Sequence, residues 1–261
     1  MISPPRPLAR GAIAAAILFL ARGQALAQDA GAAVPVMAEP HHHLAYSDDH
    51  VRLFQVEVPA HTATLLHQHD RDYVWVALGN AAFVNAVAAQ PEARVVAADA
   101  SVHFSRGGFA HVARNESASD FRNVTIELLQ AQSNPRNLCD QVIAAQPTAC
   151  PAATSQHPLF GGVSVRPAFQ TDQMRVSILR LEPRGSLKVP ASANPPLLVA
   201  LDSSDADVTL SYRVTGEDMV SHARLRRGSV HTASTDAEWE LRNPGGTPIR
   251  FLAMEWITVG R

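Results

Sequence analysis

Two histidines one residue apart, His67 and His69, carry the clearest chemistry in this 261-residue chain. In an extended strand they project from one face, about 6.6 Å apart along the backbone, so both imidazoles can converge on one ion. Asp72 follows three residues later with a carboxylate, and His111 can return on a later strand to complete the set. Three imidazoles and a carboxylate make an N/O site for a borderline divalent metal: iron, manganese, zinc, nickel or copper. If Asp72 does not ligate, it is the candidate general base. His61 lies up to about 20 Å from His67 along a straight strand, which places it at a rim. Arg106 and Arg114 flank His111 and leave two readings open, contact with an anionic substrate or structural salt bridges.

Short strands must position these groups. Val51–Val58, Tyr73–Leu78, Arg94–Val96, Val102–Phe104 and Phe121–Leu129 are β-branched or alternating runs, and no helical period appears. Parity puts Leu65 on the face of His67 and His69, and Val74 and Val76 on that of Asp72. Tyr73 and Trp75 are then expected outward. Phe109 is expected near His111, and His103 reads as a strand histidine among apolar neighbours.

His67-x-His69, the gap from Asp72 to Gly79, and Gly108, His111 and Asn115 resemble the two signature motifs of the cupin superfamily. The match has departures. His61 and Ala100 stand at the first glycine of each motif, Arg106 replaces a proline, and Asp72 replaces a glutamate. The resemblance implies a double-stranded β-helix (jelly-roll) barrel with a metal on His67, His69, Asp72 and His111, iron being the first expectation.

A second segment repeats the first. Pro183-Arg-Gly185 answers Pro59-Ala-His61 at an offset of 124, and Leu197–Leu201 answers Tyr73–Leu78. Arg227-Gly228-Ser-Val-His231 answers Gly107–His111 at 120, and Arg242-Asn243 answers Arg114-Asn115 at 128. The chain therefore resembles a bicupin, an all-β fold of two tandem barrels, over residues 51–130 and 159–261. Carried across, His67, His69 and Asp72 become Ala191, Ala193 and Pro196, and only His231 remains. The second barrel is expected to hold no such metal, and to be structural or carry an apolar pocket.

Residues 1–27 have Arg6 and Arg10, an apolar run from Gly11 to Ala21, and Ala25-Leu-Ala27, the form of a secretory signal peptide. Its removal takes three arginines and no acid, leaving a periplasmic or secreted chain without stable membrane insertion. The full chain's net charge of −2 then becomes −5, which argues against nucleic acid as a partner. Residues 28–50 read as a flexible arm in which the triplet His41, His42 and His43 either binds metal or, the preferred reading, forms a solvated polar run, since sequential histidines cannot share a face as His67 and His69 can. The linker 131–158 holds the only cysteines, Cys139 and Cys150, expected as a disulfide in an exported protein. Asn115 and Asn123 head glycosylation-type triplets but lie on strand-like sequence.

Three functions fit this pattern. The first is a metal-dependent enzyme, with dioxygenase chemistry on a small substrate leading. The second is a lyase, isomerase or decarboxylase on the same scaffold, and the third a non-catalytic binding protein for a metal or small ligand. The expected partners are a small molecule and a second copy of the chain in a homodimer. No catalytic serine or cysteine pattern is present.

Overall fold

Branched and aromatic residues, punctuated by Gly, Pro, Asn and Asp, build twenty-one short strands among the described residues. The computed structural model describes residues 32–139, 150, 157–159, 161–203, 207–214, 217–232 and 237–257, with backbone alone for 157–159 and 207–224. Residues 1–27, expected as a signal peptide, lie outside the described residues. Gly31–Arg261 form one compact unit.

The first barrel comprises β1 (Val34–Pro35), β2 (His42–Ser47), β3 (Val51–Val58), β4 (His67–His69), β5 (Tyr73–Ala77), β6 (Ala81–Val87), β7 (Ala93–Ala97), β8 (Val102–Ser105), β9 (Phe109–Asn115) and β10 (Phe121–Leu128). Two sheets, β1-β4-β9-β6-β7 and β2-β3-β10-β5-β8, close around Phe54, Val56, Val58, Phe83, Ala113 and Phe121. After β11 (Arg136–Asn137) and β12 (His157–Leu159) come β13 (Val163–Gln170), β14 (Met174–Leu181), β15 (Ser186–Val189), β16 (Leu197–Ala200), β17 (Asp207–Val214), β18 (Glu217–Arg224), β19 (Val230–Thr232), β20 (Glu238–Arg242) and β21 (Ile249–Trp256). Their sheets run β13-β14-β21-β16-β19 and β15-β20-β17-β18, the order of the first half.

The duplication extends to single hydrogen bonds. Asn115 Nδ2 donates to the carbonyls of Val58, Pro59 and Ser119, and Asn243 Nδ2 to those of Leu181, Glu182 and Thr247. The Asn115 N–H donates to the Thr62 carbonyl as the Asn243 N–H does to that of Gly185, which moves the 124 offset to 123. His61 therefore answers Arg184, not Gly185, and both have positive φ (57° and 63°), as do Ala100 (59°) and Gly228 (83°). His61, Arg184 and Ala100 keep the backbone conformation of a glycine without its residue, while Gly228 keeps both.

Strand pairing corrects the carried-over histidine positions as well. His231 pairs with Leu198 on β16, as His103 pairs with Trp75 on β5. Ser229 Oγ meets His231 Nε2 at 2.8 Å, as Ser101 Oγ meets His103 Nε2 at 2.9 Å. His231 therefore answers His103, not His111. Two histidines eight residues apart in the first copy allow either alignment, and strand pairing decides. Val189 pairs with Trp239 where the first barrel pairs His67 with His111. No expected ligand keeps a histidine counterpart, and Leu179, Leu181, Leu198, Trp239, Leu241 and Phe251 pack together inside the second barrel.

The largest core lies between the barrels, where Leu53, Val74, Val76, Val124 and Ile126 meet Val176, Ile178, Val199, Leu252 and Met254. Val74 and Val76 thus face the partner barrel, while Tyr73 and Trp75 face their own interior, reversing the parity expectation. The chain changes sheet between β4 and β5, so the face of His69 does not carry through residues 70–72. Asp99 adds polar ties across the junction, to Arg250 at 2.8 Å and to Arg227; Arg250 also holds Asp202 at 2.6 Å. The Cys139–Cys150 disulfide is present, both cysteines buried in this junction.

Residues 32–50 also depart from expectation. They are not a flexible arm: β2 pairs with β3 across a register shift between Leu44 and Tyr46, and β1 lies parallel to β4. The shift interrupts the alternation by which a strand is read from sequence. No helix among the described residues is long and apolar enough to cross a membrane.

Candidate metal centre

Three strands bring four histidines together. β4 supplies His67 and His69, 0% and 1% exposed, and β9 sets His111 directly opposite His67. β2 supplies His42, 9% exposed. Ring centres lie 4.4 Å apart for His67–His111, 4.7 Å for His42–His67, 5.0 Å for His67–His69 and 5.2 Å for His69–His111. One ring nitrogen from each of His42, His67 and His69 lies within 4.8 Å of the other two. Donors on a single ion stand at most about 4.2 Å apart, twice a ~2.1 Å metal–nitrogen bond, so this grouping is slightly expanded.

Neighbours fix the tautomers. The Leu65 carbonyl can only accept, so at 2.9 Å it holds the proton on His67 Nδ1 and leaves the lone pair on Nε2. Asn85 Oδ1 does the same for His111 Nδ1 at 2.6 Å, and Glu39 Oε2 for His42 Nδ1 at 2.7 Å. Burial alone would raise the Glu39 carboxyl. The hydrogen bond from His42 and those from the backbone N–H groups of Leu65 and His41 outweigh it, and its pKa falls below the usual carboxylate value.

His67 Nε2, His69 Nδ1 and His111 Nε2 are buried without a hydrogen-bond partner among the described residues. An unsatisfied buried polar atom costs about 1–3 kcal/mol, so three in one cluster need a reason. Desolvation, with repulsion from neighbouring imidazoles, pushes His67 down to about 4, His69 to about 2 and His111 to about 3. At neutral pH all three are uncharged, with lone pairs in place. That is the protonation state a divalent metal requires of its ligands, so the residues fit the ion.

Asp72 is elsewhere. Its Oδ2 accepts from Arg106 at 2.7 Å and its Oδ1 from the Gly107 N–H at 3.0 Å. It spans the chain's two motif loops instead of joining the histidines, and both oxygens are engaged against a role as base. The short reach of aspartate and an arginine in the usual proline position act together here. Arg114 is likewise paired, with Glu92 at 2.8 Å and Glu116, so both arginines make structural salt bridges. His61 is exposed as expected, but Leu65 is 50% exposed, not inward. Asn115 and Asn123 are buried at 1% and 5%, which closes them to glycosylation in this fold. His42 was missed because only the shifted β2 separates its orientation from those of His41 and His43. The available signals are the histidine triplet itself and the Glu39-x-x-His42 spacing.

The histidines border a cavity of about 340 Å³ in the first barrel. Tyr73, Trp75, Phe83, Phe104 and Phe121 supply ring surfaces, and Asn85, His103, Ser105, Asn123 and Thr125 supply polar groups. His103 stacks flat on Trp75, ring centres 3.9 Å apart. The size falls at the small end of ligand pockets, which run ~300–1,000 Å³.

Two barrels of matching strand order, with a histidine cluster inside the first, give the fold of a bicupin. No protein-family model and no curated protein matches the sequence. Among solved structures the chain is similar to AerE from Microcystis aeruginosa, at 10% identity and TM-score 0.54 over 84% of this chain and 98% of that one. It is similar to the oxalate decarboxylase of Lactobacillus farciminis, at 11% and 0.52 over 78% and 76%. Vicilin from hazelnut, Corylus avellana, matches at 12% and 0.52 over 79% and 74%. Identities this low speak for the fold alone.

Proposed function

We propose that the chain is an exported, metal-dependent bicupin enzyme with dioxygenase-type chemistry on a small organic molecule. The observation that carries this reading is the set of three buried, partnerless imidazole nitrogens at His67, His69 and His111. His42 joins them as the fourth ligand, in place of the acid that Asp72 does not provide. When bound, the ion supplies Lewis-acid polarisation and, if iron, oxygenase chemistry.

The protein's part is to hold and to shield. Leu65, Asn85 and Glu39 keep the lone pairs of His67, His111 and His42 aimed into the cluster, an outer layer worth 10–100-fold in metal affinity where it has been removed from other sites. The aromatic walls exclude water from the reacting molecule. An all-imidazole donor set suits iron, copper, nickel or zinc better than manganese. The lack of a carboxylate base in the cluster weighs against lyase or isomerase chemistry. Export is supported by the form of residues 1–27 and by the disulfide, which persists in oxidising compartments.

Elemental analysis of untagged protein purified from the periplasm tests the reading. About one iron per chain, with oxygen uptake on phenolic or diketone compounds, is the expected result. Zinc, nickel or manganese at that ratio moves the lyase and isomerase reading ahead. No metal after reconstitution refutes both and leaves ligand binding.

A further inference from the structure

Among the described residues, no Asp, Glu, Lys or Arg lines the cavity. His103 is neutral as well, since burial pushes it down to about 4. Arg106 lies over the Phe104 ring at 5.3 Å, but its guanidinium is bonded to Asp72 and to the Gln132 carbonyl. A carboxylate entering away from the ion would therefore lose its hydration without meeting a counter-charge.

The same wall offers flat surfaces and one complementary pair of polar groups. Ser101 Oγ donates to the Ala98 carbonyl, so it accepts from His103 Nε2 and leaves His103 Nδ1 as an acceptor. Thr125 Oγ1 donates to Asn123 Oδ1, which leaves the Asn123 Nδ2 hydrogens as donors without a partner among the described residues. An acceptor and a donor on two residues that line one cavity match a hydroxyl and a carbonyl, or two hydroxyls, on one ligand. A cavity of ~150 Å³ holds benzene, so this one, at about 340 Å³, has room for about two fused rings.

From the uncharged wall, the ring surfaces and this acceptor–donor pair we infer that the first barrel selects a neutral, flat, hydroxylated aromatic or enolisable molecule of up to two rings and rejects its carboxylated analogues. The inference names the substrate class of the proposed metal site. His103 is a specificity residue that accepts the ligand's hydroxyl hydrogen.

Calorimetric titration of the full-length mature protein with 2-naphthol, naphthalene and 3-hydroxy-2-naphthoate tests this, once after chelation and once after zinc loading. In the chelated protein 2-naphthol is expected to bind at least tenfold more tightly than the carboxylate. Equal or tighter binding of 3-hydroxy-2-naphthoate there overturns the inference, as does failure of all three to bind. Because this arm contains no metal, it stands apart from the metal reading: naphthol binding with no zinc uptake would sustain the substrate class and sink the ion. His103→Phe keeps a ring against Trp75 but removes the acceptor. It should abolish the preference for 2-naphthol over naphthalene while naphthalene keeps its affinity. Equal weakening of both would overturn the role of His103. Should that variant fail to fold, His103→Gln, which restores an acceptor, is expected to retain the preference, and its loss there overturns the role.

Discussion

Replacing Glu39 by glutamine changes one atom and should disarm a ligand it does not itself provide. The carboxylate accepts from the His41 N–H at 2.8 Å and His42 Nδ1 at 2.7 Å through Oε2, and from the Leu65 N–H at 3.1 Å through Oε1. The substituted amide would present an NH2 to at least one of those donors. The simplest escape is for His42 to move its proton to Nε2 and accept on Nδ1, which turns a lone pair aimed at the cluster into an N–H. Loss of such outer partners costs 10–100-fold in metal affinity, about 1.4–2.8 kcal/mol. Competition between the reconstituted protein and a chromophoric chelator measures it. The sharper test is a double-mutant cycle with His42→Ala. Once His42 is gone, Glu39→Gln should cost nothing further. Wild-type affinity in Glu39→Gln, or losses that add in the double variant, would refute the argument. Melting of the metal-free variants separates any general loss of stability.

His67→Ala and His111→Ala should each abolish stoichiometric metal while His231→Ala leaves it unchanged; full retention in the first two, by elemental analysis, sinks the site. The metal-free protein should be acid-labile. His67, His69, His103 and His111 stay neutral in the fold down to about 4, 2, 4 and 3, whereas an unfolded chain protonates them near 6.5. Their depressed values stabilise the fold above pH 6.5, and that stability is lost as pH falls toward the folded values, by up to roughly 1.4 kcal/mol per pH unit for each ring. Denaturant midpoints of chelated protein that do not change between pH 7 and pH 5 would contradict this. Reduction of Cys139–Cys150, which closes an eleven-residue separation, should remove about 2–3 kcal/mol and lower Tm by roughly 4–12 °C. An unchanged Tm, with free thiols titrating in untreated protein, would exclude the bond.

What the sequence disclosed follows from what is local. The His67-x-His69 pair, the Cys139–Cys150 pairing and the repeat of Asn115 in Asn243 depend on spacing within a strand or on copies of one motif. What it hid depends on distant partners. Tyr73 and Trp75 could not be told from Val74 and Val76, because the sheet holding β5 is covered on both faces and every position is apolar. Asp72 sits near His69 in sequence, but Arg106, thirty-four residues on, decides where its carboxylate points. His42 was hidden for the same reason, since its burial needs β3, β4 and Glu39 in place.

That doubly covered sheet has a consequence for how such a chain can change through descent. Tyr73, Trp75, Asn123 and Thr125 look into the cavity, while Val74, Val76, Val124 and Ile126, alternating with them on the same two strands, rest on the second barrel. Cutting the chain after the first barrel would bare that aliphatic face to water, and a lone first half should aggregate. The second copy can do without those histidines because its outer surface, not its interior, is what covers this face. Drift there is not neutral either: a side chain that changes beneath Val74 or Val124 tilts the strand whose next residue touches the ligand. Selection for a new substrate in one half therefore has a route through the half that has no site of its own.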